Sequence, residues 1–359
     1  MKKNVVVIIT LMLLLTACNT STPSEPEYNR YTNSFLDTFN TLTVVIGYTE
    51  TEEEFNNYFD IIHQRFQDLH ALYDIYNDYE GINNIKTIND NAGIKPVEVH
   101  EDLINLILTS QKWNAEIGPR TNIALGPVTK IWNKYRNEGI DDPENAKIPE
   151  LGDLQRAAQL TDINEVIVDK ENNTVFLQEG MSLDVGAIAK GYAVELVSNE
   201  VEEMGFISGI ISGGGNVRVI GKPLDGVRAR WGIGIQDPDA SIISENKNLD
   251  TVFITDASVV SSGDYQRFYY ADGQYLHHII DPDTLMPGKY YRAVTIVAKD
   301  SGLADFLSTE LFLMPYEESF ALAESLDGVE VVWVMPDGEL RATDGMKAIM
   351  SSHGATSTD

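Results

Sequence analysis

The chain has 359 residues but a single cysteine, Cys18, which excludes an intrachain disulfide framework and a multi-cysteine metal site. It is also short of positive charge: 26 lysines and arginines face 55 aspartates and glutamates, for a formal net charge of −29. Such a field repels phosphate backbones and anionic headgroups, which argues against nucleic-acid binding and polybasic membrane docking. An anionic ligand would have to be attracted locally, by a metal ion or by backbone dipoles. No apolar run is long enough to cross a bilayer as a helix. Fixed-period repeats, low-complexity blocks, a Walker sequence and the Rossmann glycine spacing are missing too. What remains is 43% hydrophobic and 9% aromatic, enough for a folded core, so a wholly disordered chain is excluded.

Met1-Lys2-Lys3 followed by apolar Val5 to Leu15 has the pattern of a signal-peptide h-region. Leu15-Thr16-Ala17-Cys18 comes next, with small residues leading into the one cysteine, as in a bacterial lipobox. Residues 1–17 are therefore expected to be removed and Cys18 to be lipidated; an ordinary secretory signal is the alternative. Residues 18–33 are polar, contain Pro23 and Pro26, and read as a flexible tether. Residues 34–350 are then the folded domain and 351–359 a polar tail. The expected location is the outer face of the cytoplasmic membrane, on a lipid anchor.

Within the folded part an apolar alternation covers Phe35 to Tyr48. Phe55, Phe59, Ile62, Phe66, Leu69 and Tyr73 recur at steps of four and three, which predicts a long amphipathic helix opened by Thr51 and Glu54 at capping-box spacing. Further helices are expected at 101–114, from near Ala187 to Met204 with Gly205 as its stop, at 301–314 and at 317–325. Strands are expected at 165–169 and 174–178 as a hairpin, and at 207–211, 217–220, 231–236, 251–254, 267–270, 292–298 and 329–334. Hairpin-like strand order with interposed helices favours an α+β fold of mixed, largely antiparallel sheets over a doubly wound parallel sheet.

Five stretches have chemical potential. Asn122-Ile123-Ala124-Leu125-Gly126-Pro127 reads as a turn before Trp132. Asp184-Val185-Gly186-Ala187-Ile188-Ala189-Lys190-Gly191 brings small residues and a lysine to a helix N-terminus, a setting for phosphate or simply for tight helix packing. Ser212-Gly213-Gly214-Gly215-Asn216 demands either positive φ in a sharp turn or backbone lying flush against a ligand. His277 and His278 adjoin on a strand, so only one can face a given site. That argues against a two-histidine zinc site and for one imidazole acting as base or donor, or for a structural histidine. Asp305 and Thr309, four apart on a helix, can offer a carboxylate and a hydroxyl to one hard cation, or can be ordinary helix residues.

In order, DVGAIAKGYAVE, SGGGNVRVIG, SSGDYQRFYY, HHIIDPDTLMPG and DFLSTELFLM resemble the ApbE family of FAD:protein FMN transferases, with the likeness running from about Ser34 to Met346. NIALGPVTKIW is similar to that family's earlier flavin-contacting stretch. The resemblance implies the family's α+β fold and a Mg²⁺-dependent reaction. In it FAD is split at its pyrophosphate, FMN is joined through phosphate to a Thr or Ser of another, exported protein, and AMP leaves. It also fits the lipobox, many relatives being lipoproteins.

The resemblance implies Asp305, Thr309 and the main-chain oxygen of Ala187 as metal ligands, with Ser308 standing where some relatives have Asp. It implies Asp184, Lys190 and Ile279 as FAD contacts, and His278, immediately before the Ile-Ile-Asp-Pro run, as the base. Leu36, Tyr76, Arg120, Thr121 and Asn122 fall at the remaining flavin-contacting places. Leu36 stands where Met is frequent and Asn122 where Asp is frequent. An FAD pyrophosphatase releasing FMN and AMP, or a flavin-binding lipoprotein without turnover, would be the competing functions.

Overall fold

An eight-stranded, wholly antiparallel sheet carries the fold. Its spatial order is Asn29–Thr38, Thr41–Thr49, Gly209–Gly213, Asn216–Ile220, Ser258–Gly263, Ala293–Ala298, Glu330–Val334 and Leu340–Ala342. This computed structural model describes residues 27–240 and 247–358; the expected signal peptide and Cys18 lie outside the described residues.

Side-chain alternation explains why a sheet so apolar is stable. Ile211, Val260, Ile296, Val331 and Trp333 face one side, where they pack with the helices Glu52–Tyr73, Ala189–Glu203 and Ser301–Phe312. Their neighbours Ile210, Val259, Val297 and Val332 face the other, against the hairpin Trp231–Gln236/Asn248–Ile254. Both faces are thus covered, and each buried aliphatic side chain contributes about 1.5–3 kcal/mol.

The α+β expectation holds, and most predicted elements are present. Glu52–Tyr73 is the long helix, with Thr51 accepting from Glu54 N–H (3.2 Å), while the Glu54 carboxylate reaches Glu50 N–H (3.1 Å) and not the cap's own. The helix expected from Ala187 opens at Ala189, because Val185 to Ile188 form a turn first; it ends at Glu203 with Gly205 at φ +104 as its left-handed stop.

Four differences matter. The first strand starts at Asn29, inside the expected tether, because residues 29–33 pair with 45–49. The expected Gly-Pro turn is a 3-10 turn at Ile123–Leu125 running into the helix Gly126–Asp141, where Pro127 occupies a first-turn position that needs no N–H. The central strand Ser258–Gly263 gave no sequence signal, since serine and glycine make up four of its six residues. The polar tail is docked close to its end: Ala229 and Arg230 N–H donate to the Ser357 carbonyl.

Candidate functional site

The helices Ala189–Glu203 and Ser301–Phe312 cross so closely that only glycine fits at position 191. A Cβ there would stand 2.3 Å from the Ser301 carbonyl oxygen and 2.4 Å from Asp305 Cβ. Gly191 N–H, which a continuing helix would aim at the Ala187 carbonyl, donates instead to Asp305 Oδ2 (2.8 Å). The same contact therefore anchors a carboxylate and releases a backbone oxygen. Asp300 caps the second helix by accepting from Leu303 N–H (2.9 Å), and its first turns bring Asp305 and Thr309 to the same cavity.

Asp305 is buried, and burial raises its pKa against the opposing pull of Lys190 and the Gly191 N–H. Lys190 Nζ lies 3.8 Å from Asp305 Oδ2. Asn216 links the two: with its amide nitrogen donating to Asp305 Oδ1 (3.1 Å), its oxygen accepts from Lys190 Nζ (3.0 Å). Ser262 Oγ is 2.7 Å from Ser308 Oγ and 3.5 Å from Thr309 Oγ1, and Ser308 donates to the Asp305 carbonyl (2.8 Å). Ser308 is thus occupied with its own helix and the neighbouring strand.

Lys190, Ser262, Asp305 and Thr309 line a cavity of about 310 Å³, and Gly191, Asn216 and Ser308 support them from outside its lining. Tyr76, Arg120, Thr121, Asn122, Asp184, Ala187, Lys190, His278, Ile279, Asp305 and Thr309 all line it; Leu36 is not among the lining residues and is 68% exposed. The two histidines divide as the strand geometry requires. His277 is structural, with Nε2 against the Gly288 carbonyl (2.7 Å) and Nδ1 accepting from Ile279 N–H (3.2 Å). His278 lines the cavity, and its Nδ1 is buried without a partner. Burial first, then Arg267, His277, Arg136 and Lys190, push its pKa down to about 3, so it is neutral at physiological pH.

The Arg120-Thr121-Asn122 segment is held from behind. Buried Glu310 accepts from Thr121 N–H (2.5 Å) and Arg120 N–H (3.3 Å), and burial raises its pKa. Thr121 Oγ1 donates to the Phe306 carbonyl (3.1 Å) and Asn122 caps the 3-10 turn through Ala124 N–H (2.8 Å), so both side chains serve the backbone. Asp184 is fixed by the Thr129 hydroxyl (2.8 Å) and Gly186 N–H (3.0 Å).

The glycine run is the tight turn of a hairpin, with Gly214 at φ +59 and Gly215 at φ +92. The residue it delivers to the site is Asn216, which sequence reasoning passed over together with Ser262, Glu310, Arg136 and Arg267. Asn216, Ser262 and Arg267 lay inside or beside motifs already singled out; Glu310 and Arg136 had no local signal.

Among the described residues no group of three His, Cys, Asp or Glu side chains could hold a metal ion. One buried carboxylate, one hydroxyl and one released carbonyl are nevertheless hard oxygen donors. That set suits a Mg²⁺ ion sharing its coordination with water and substrate phosphate.

A sequence model of the ApbE family matches residues 36–333. The chain belongs to the ApbE family. The FAD:protein FMN transferase of Treponema pallidum is 33% identical over 275 residues, 73% of this chain and 73% of that protein. The FAD:protein FMN transferase of Klebsiella pneumoniae is 30% identical over 260 residues, 71% of this chain and 76% of that protein. The crystal structure of the ApbE protein of Thermotoga maritima superposes with a TM-score of 0.76 at 25% identity, covering 90% of this chain and 99% of that one. The Vibrio cholerae flavin transferase ApbE shares the fold, with a TM-score of 0.72 at 21% identity over 90% of this chain and all of that one. The chain therefore has the ApbE fold.

Proposed function

We propose that this protein is an FAD:protein FMN transferase that joins FMN through a phosphoester to a Thr or Ser of an acceptor protein and releases AMP. The observation that carries the reading is the convergence, in an ApbE-family chain, of Asp305, Thr309, Ala187, Lys190 and an uncommitted His278 on one cavity. Asp305, Thr309 and the Ala187 carbonyl would hold Mg²⁺, which when bound supplies positive charge to neutralise a phosphate. The acceptor oxygen bonds to the FMN phosphorus, the anhydride bond breaks, and AMP departs with the bridging oxygen. His278 is the base for the hydroxyl proton: it is neutral, and it makes no hydrogen bond to the protein that would block a ring nitrogen. An anionic substrate beside it offsets the surrounding cations and raises its basicity. Lys190 and Asn216 keep the Asp305 carboxylate oriented.

The deciding experiment incubates the chain with FAD, Mg²⁺ and a candidate acceptor and follows in-gel flavin fluorescence and AMP. A fluorescent acceptor with stoichiometric AMP supports the transferase. AMP without a labelled acceptor means an FAD pyrophosphatase, and neither means a flavin binder.

The leader also belongs to this reading: Cys18 is lipidated and holds the enzyme outside the cytoplasmic membrane, where its acceptors are exported proteins. Cys18→Ala should move the protein from the membrane to the soluble fraction; membrane retention of that variant would refute the anchor.

A further inference from the structure

Acids outnumber bases two to one in this chain, yet among the described residues several exposed lysines make no ion pair, so an unpaired base is informative only where it faces a cavity. Of the lysines and arginines that line the cavity, Lys190 lies 3.8 Å from Asp305 and Arg120 lies 3.6 Å from both Asp283 and Glu318. Arg136 and Arg267 are the other two. Both line the cavity, and among the described residues neither has an ion pair or a hydrogen bond to the protein. Arg136 comes from the helix Gly126–Asp141 and is partly buried; Arg267 comes from the segment before the strand Phe268–Ala271 and is exposed. They repel one another, and both repel charge on His278. Asp184 exerts its field on Arg136 but makes no ion pair with it, its oxygens accepting from Thr129 and Gly186.

Two guanidiniums that line one cavity with the candidate base, neither in an ion pair, carry an electrostatic cost that a bound anion lowers. Each guanidinium presents a planar fork of donors that matches phosphate oxygens. We propose that Arg136 and Arg267 form a guanidinium pair that grips the diphosphate of FAD beside His278. The assignment rests on the FAD-dependent reading above. It makes the pair a selector: riboflavin, which has no phosphate, gains nothing from it, whereas FAD and ADP do. It also places the positive charge that an acidic chain needs at one point rather than over a broad surface.

The test is equilibrium binding of FAD, riboflavin and ADP to the full chain at low and high salt. Arg136→Gln and Arg267→Gln should each raise the Kd for FAD about tenfold and weaken ADP in parallel, with the riboflavin Kd unchanged within about twofold. FAD binding to the parent chain should weaken with salt more steeply than in the double variant. Arg267→Lys, which keeps the charge but loses the fork, should fall between. Thermal melts check that the variants fold, and Arg267→Gln, at an exposed position, provides a variant whose folding does not depend on the side chain. Equal losses for FAD and riboflavin would assign the arginines to the flavin ring or the fold and overturn the proposal, as would unchanged FAD binding in the double variant. A parent chain that binds neither FAD nor ADP would remove the flavin reading itself, and this assignment with it.

Discussion

The floor and the rim of the cavity are built differently. The floor consists of Ser262 and Asp305, held from outside the lining by Gly191, Asn216 and Ser308 through hydrogen bonds of 2.7–3.1 Å. The rim consists of Tyr76, 62% exposed, with the arginines 136 and 267, which have no protein partner among the described residues. A floor side chain is positioned before any ligand arrives, whereas a rim side chain is positioned by the ligand. Changes at the floor should therefore act on turnover, on folding or on both, and changes at the rim on affinity alone.

The largest effect tests the floor directly. Asp305→Asn should lower transfer by roughly 10³-fold and abolish its dependence on Mg²⁺ while leaving the fold intact, as read by AMP release and a thermal melt. Retained Mg²⁺-dependent turnover would remove Asp305 from the metal site. His278→Gln, at the junction of floor and rim, should lower kcat by roughly 10²–10³-fold with FAD affinity nearly unchanged. Parallel losses in both would make it a binding residue. Gly191→Ala drives a methyl into the helix crossing and should cost about 1–3 kcal/mol in chemical denaturation as well as displacing Asp305. An active, equally stable variant would show that the crossing is loose.

The pH dependence follows from His278 through its sign. Its folded-state pKa lies near 3, below the ordinary 6.5, so the unfolded chain takes up a proton that the folded chain refuses. Above about pH 6.5 this costs nothing. Below it, stability falls as pH drops toward 3, and His278→Gln should flatten that part of a melt-temperature profile. An unchanged slope would mean that the imidazole is accessible to solvent protons in the folded state. The smallest effects belong to the outermost positions. Tyr76→Ala should weaken FAD a few-fold and Leu36→Ala less than about twofold in the same titration, since Leu36 lies outside the cavity lining. A large loss at Leu36 would show that the rim closes further over a ligand.

Local signals were legible where one element carries its own pattern. The helix at 52–73 followed from aromatic spacing and a Thr51 cap, and Gly205 marked a helix end because only a left-handed residue closes it so. The helix at 126–141 was missed because Gly-Pro is read as a turn, although proline is equally at home in a first helical turn. The strand at 258–263 was missed because its place in the middle of the sheet, not its composition, makes it a strand.

By itself the sequence determined the family, the α+β class, the order of the motifs and the scarcity of positive charge, because these depend on residue identity and short spacing. Only the tertiary structure decided that Asn216 and not its glycines reaches Asp305, that Glu310 pins the segment behind Arg120, and that Arg136 and Arg267 share one cavity. Those contacts join residues 89 to 190 positions apart, or more than a hundred across the arginine pair, and no local pattern records them. They exist because burying both faces of one sheet packs together residues that are distant in the chain.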